Sequence, residues 1–144
     1  MPKENEDLLK EIYKATQMGL EATKEILNKV EDASLHDQIV EQRKNYKGMS
    51  LKAKAMLREQ GEVPLGAKTS KKIMVKSAVT MNTLTNRSPS HIAELMINGT
   101  TMGIIDMTKR MNRLDYSDAG AKQLAEEFIS NQQQNIENLK SFLC

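Results

Sequence analysis

Apolar residues recur along this chain at steps of three and four in four long segments, and almost no stretch alternates as a strand would. The first segment carries Leu8, Ile12, Ala15, Gly19, Ala22, Ile26 and Val30, widened by Leu9, Tyr13, Leu20 and Leu27. The second carries Leu35, Ile39, Gln42, Tyr46, Met49, Ala53 and Met56. Ile92, Leu95, Gly99, Met102, Ile105 and Met111 follow in the third. The last holds Ala121, Leu124, Ala125, Phe128, Ile136, Leu139 and Leu143. That spacing lines one face of a helix. Several one-faced helices must bury their stripes against each other, so the expected fold class is all-α, a packed helical bundle.

Local signals set the boundaries. Helices are expected over about residues 5–31, 35–60, 70–84, 89–113 and 118–142. Asp32-Ala-Ser34 breaks the first pattern, and Ser34 with Asp37 three residues on resembles a capping box. Gly61 followed by Pro64 stops the second helix. Ser88 as cap and Pro89 at the first helical position start the long third bundle helix, and Ser117 is the expected cap of the last. A short join makes the first two helices antiparallel neighbours. The segment at 70–84, with Ile73, Met74, Met81 and Leu84, is read as a short extra crossover helix between bundle helices two and three. Gly99 and Gly103 inside one helix cost about 2 kcal/mol against alanine, so a helix is expected to approach closely there.

The 144 residues fit a single domain, 1–144, with three Pro and seven Gly leaving long helical stretches unbroken. Ten Met suit irregular gaps between helices. A net charge of +2 implies no global field for nucleic acid. The run from Lys68 to Lys76 holds no aromatic residue for base stacking and reads as a solvated face. The polar, acidic N-terminus is no signal peptide and no apolar run is long enough to span a bilayer, so a cytoplasmic chain without membrane or nucleic-acid partners is expected. The single cysteine, Cys144, cannot close an internal disulfide.

Two hairpins joined by a crossover raise the question of a di-iron centre, which needs Glu-x-x-His pairs on two helices. Here Glu41 is followed by Lys44, and Glu126 and Glu127 by Ile129 and Ser130. His36 and His91 both open helices. If the crossover returns the chain they share one end, where a site with Asp37 or Glu94 is geometrically possible; the weak candidates for metal are His36, His91, Glu21 and Glu94, and the expectation is that no metal is bound. Near the helix centres, Gln42, Asn98, Asp106 and Gln132, with Glu21 and Thr101, lie on or beside the stripes. They are the candidates for a polar core layer that fixes which helix packs on which. No nucleophile-base grouping or phosphate loop is present, so no catalytic residue is assigned.

The segments DLLKEIYKATQMGLEATKEIL, RKNYKGMSLKAKAMLREQG and INGTTMGIIDMTKRMN resemble a bacterial ferritin-like family of uncharacterised function. That family lies near the rubrerythrin and spore-coat-type four-helix proteins, and the likeness covers most of residues 7–143. The resemblance implies a ferritin-like four-helix bundle. The superfamily's metal ligands cannot be carried over, because the Glu-x-x-His pairs are missing. The expected role is therefore non-catalytic and cofactor-free, in self-assembly as a homo-oligomer or in binding a protein partner. The alternative is a degenerate metal-binding oxidoreductase or metal-storage protein of the same superfamily.

Overall fold

The computed structural model describes residues 3–61, 85–113 and 119–144. They form four helices with no strand among them: α1 (Lys3–Leu27), α2 (Ala33–Glu59), α3 (Pro89–Arg113) and α4 (Ala119–Lys140). α1 packs along α2 and α3 along α4, and the two hairpins join through contacts of α1 with α3 and α4 and of α2 with α4.

Two apolar clusters fix the directions. Leu8 of α1, Leu57 of α2, Met107 of α3 and Ala121 of α4 meet in one cluster. Ile26, Leu35, Ile92 and Leu139 meet in the other. α1 and α4 therefore run one way, and α2 and α3 the other. The end of α2 and the start of α3 lie at opposite ends of the bundle. The helix expected over 70–84 and the lysine run from Lys68 to Lys76 lie outside the described residues, as does the turn holding Ser117.

The first reversal differs from the capping expectation. α1 stops at Leu27, and Lys29 N–H and Val30 N–H both turn back to the Ile26 carbonyl. Asp32, not Ser34, then caps α2: its carboxylate accepts the Leu35 N–H at 2.9 Å. A carboxylate there answers the positive helix end and satisfies a donor left free by helical geometry, so α2 begins at Ala33. Asp32→Ala is expected to cost about 1 kcal/mol, while Ser34→Ala, at an exposed position, should leave the thermal midpoint where it was. Equal effects of the two substitutions in thermal unfolding would contradict this assignment. At the end of α2 and the start of α3 the expected signals operate. Gly61 takes a left-handed φ of 76° after α2, and Ser88 Oγ accepts from His91 N–H ahead of α3.

α3 buries a different face from the one its apolar residues trace. Ile92, Ala93, Met96, Thr100 and Met107 face the core, while Met102 is 65% and Ile105 46% exposed. At about 100° per residue, Ile105 lies roughly 140° around the helix from Ile92. The steps of three in that stripe drift off the core face, and Thr100 holds the buried position instead.

No helix among the described residues is long and apolar enough to cross a membrane.

Candidate functional site at mid-bundle

Between the two apolar clusters the core is polar. Tyr46 and Gln42 of α2, Thr100 of α3, and Gln132 and Asn135 of α4 are buried, as are Thr16 and Thr23 of α1. Tyr46 O–H donates to Gln132 Oε1 at 2.9 Å, and Asn135 Nδ2 donates to the same oxygen at 3.0 Å. One amide carbonyl thus satisfies two buried donors from different helices. Asn135 reaches Gln132 because residues three apart share a helix face. The threonines are satisfied locally, Thr16 by the Tyr13 carbonyl and Thr23 by that of Gly19, the back-bonding that buried helical threonines commonly adopt. Gln42 Nε2 is buried with no hydrogen-bond partner.

Gly19 admits Tyr46 to this layer. A Cβ built on Gly19 would sit 2.6 Å from Tyr46 Cδ1, with other ring atoms as close. The phenol ring lies directly on the α1 backbone, and its hydroxyl points across the bundle to α4. Burial raises the Tyr46 pKa above its ordinary value, and hydrogen bonding with Gln132, Asn135 and Thr100 opposes the rise without cancelling it. The phenol is a neutral donor at physiological pH. The layer can orient helices and hold a proton on Tyr46 until strongly basic pH.

The expected polar residues divide. Gln42 and Gln132 are in the layer. Asn98 and Asp106 are exposed on α3, as is Thr101, whose hydroxyl turns back to the Ile97 carbonyl, so none of the three belongs to it. They lie on the outward arc of α3, for the same geometric reason as Ile105. Glu21 is half-buried, with Oε2 out of water's reach and unpaired. Sequence reasoning passed over Tyr46, Thr100 and Asn135 as layer members. Tyr46 was counted with the apolar stripe, while Asn135 closes the amide-rich stretch Asn131-Gln-Gln-Gln-Asn135, which was the available signal.

No known family, curated protein or solved structure matches this chain.

Of the residues named for metal, His91 and Glu94 lie one turn apart with Nδ1 and Oε2 at 4.0 Å, on a largely solvated face. His36 is exposed near the start of α2, at the same end of the bundle as His91, while Glu21 lies on α1 among other neighbours. Among the described residues no three of His, Cys, Asp and Glu come close enough together to hold a metal ion. Nor do the interior glycines of α3 receive another of the described helices. Gly99 has open space around it, and a Cβ on Gly103 would meet only Gln132 Nε2 at 3.8 Å.

Proposed function

We propose that the chain is a non-catalytic, ferritin-like helical bundle that works by protein-protein contact or self-assembly, with the outer face of α3 as its contact surface. The observation that carries this reading is the exposure of Met102 and Ile105 beside Gly99 in the middle of that helix. Large exposed apolar side chains at neighbouring positions favour a macromolecular partner, and a methionine fits its shape to whatever packs on it. Gly99 leaves a notch where a helix from another molecule can come close. The ferritin-like part draws on the order of directions, α1 and α4 one way and α2 and α3 the other, which is the order in bundles with one crossover connection.

The polar layer suits a scaffold. A buried hydrogen bond that ties α2 to α4 rewards one arrangement of the helices over others with equal apolar burial. Sedimentation equilibrium over a range of protein concentrations tests the reading. Association is expected, and Met102→Glu and Ile105→Glu together should abolish it while leaving the thermal midpoint nearly unchanged, since both side chains are exposed. A chain that stays monomeric at high concentration, with no partner recovered by cross-linking through α3, would sink it.

A further inference from the structure

A groove of about 320 Å³ runs along the outside of the α1–α2 hairpin, away from both the polar layer and the α3 face. Its walls present Lys24 from α1 and Arg43, Lys47 and Lys54 from α2, against one carboxylate, Glu21. The groove therefore concentrates more positive charge than the +2 carried by the entire chain. Elsewhere some described cations are paired, Lys52 with Glu127, Arg110 with Glu11 and Lys140 with Glu137. None of the groove's four cations makes an ion pair or a side-chain hydrogen bond among the described residues.

Two polar atoms of residues that line the groove are buried beneath its surface and unsatisfied. Arg43 Nε has no acceptor and Glu21 Oε2 has no donor. Buried orphans of charged groups are rare in folded proteins. The Gln17 to Ser50 hydrogen bond, 2.7 Å, spans the groove and sets the register of the hairpin. From there, counting in opposite directions along the antiparallel helices brings Lys24 level with Arg43. Glu21 and Lys47 lie between that pair and the bond, and Lys54 stands beyond the bond. From Arg43 to Lys54 the helix rises about 16 Å.

We propose that this groove binds a small organic polyanion, carrying carboxylate or phosphate groups together with a hydroxyl. Lys24, Arg43 and Lys47 take the anionic groups through charge-assisted contacts. Glu21 accepts from the ligand's hydroxyl. The carboxylate in the middle of the groove argues for a compact ligand. A nucleic-acid backbone or an acidic helix would carry its negative charges across Glu21, whereas a hydroxylated polyanion places a donor there. The volume falls at the small end of ligand sites. The proposal is independent of the α3 contact surface.

The test is an amide-resolved NMR titration of the full chain with citrate, with tricarballylate (the same three carboxylates without the hydroxyl) and with inorganic pyrophosphate. Citrate is expected to move the resonances of residues 17–24 and 43–54, with tricarballylate several-fold weaker. Lys47→Gln should weaken binding about tenfold, as loss of one charge-assisted contact does, while Lys109→Gln on α3 leaves it unchanged. Shifts at the same residues with pyrophosphate in place of citrate assign the site to phosphate and uphold it. Absence of shifts in the groove with every probe, or equal weakening by Lys47→Gln and Lys109→Gln, overturns the proposal. Equal affinity for citrate and tricarballylate overturns the role given to Glu21.

Discussion

Gly19→Ala is expected to destabilise the bundle by about 3 kcal/mol, lowering the thermal midpoint by roughly 10 °C for a chain of this size. Helix propensity alone predicts the opposite sign, because alanine in place of an interior glycine gains close to 1 kcal/mol. The contact with Tyr46 decides between them. The new methyl would overlap a ring that is buried, rigid and tied through its hydroxyl to Gln132. Either the α1–α2 pair spreads, loosening contacts on both sides, or the ring moves and strands its hydroxyl without an acceptor. Gly99→Ala supplies the control. With open space at that position, the propensity term stands alone and the substitution should stabilise by up to about 1 kcal/mol. Chemical denaturation of the two variants checks the pair. Combining Gly19→Ala with Tyr46→Leu should recover much of the loss, since the two residues interact directly. A Gly19→Ala protein as stable as the parent would show that the ring does not rest on the α1 backbone.

The contrast between these glycines marks how far the sequence could be read. Periodicity identifies helices because burial of one face depends on angle alone, and all four described helices lie where the spacing puts them, with the α1–α2 boundary shifted. It also identified Gln42 and Gln132, since both lie close to the centre of their helix's buried arc. It could not tell which glycine is covered. Gly19 and Gly99 look equivalent on their stripes, and the difference is the aromatic ring of a residue far away in the chain. On α3 the stripe failed because apolar residues were weighted above angle, so Thr100 was overlooked while Met102 and Ile105 were counted as core. The cap of α2 was misplaced by the same habit of weighing residue type first. Ser34 resembles the favoured motif, but Asp32 is the residue whose side chain reaches a free N–H. The α1–α2 groove was illegible for another reason. Its charges come from two helices and are dispersed in sequence, and only the register of the hairpin assembles them.

Gln132→Met is expected to cost about 3 kcal/mol, against little or no loss for Gln42→Met at an equally buried position on α2. Methionine matches the length of glutamine in both cases, so packing changes little. The difference lies in what the amide serves. Gln132 Oε1 accepts from both Tyr46 and Asn135, and its removal leaves two buried donors unpaired, each costing about 1–3 kcal/mol. Gln42 Nε2 is already without a partner, so an apolar replacement removes an existing penalty. Tyr46→Phe should fall between them at about 1 kcal/mol, because Gln132 keeps its bond from Asn135. It also carries a distinct pH signature. Burial raises the folded-state pKa of Tyr46, so above about pH 10 the unfolded chain releases the phenol proton while the folded chain retains it. The stabilising contribution is therefore complete below pH 10 and is lost as pH rises toward the raised folded value, at up to about 1.4 kcal/mol per unit. Lysines titrate in the same range, so the quantity to measure is the difference between parent and Tyr46→Phe in denaturant unfolding from pH 9 to 11. That difference should shrink as pH rises. A constant difference would mean that the hydroxyl is exposed to water, and the layer would lose its claim to select one arrangement of the helices.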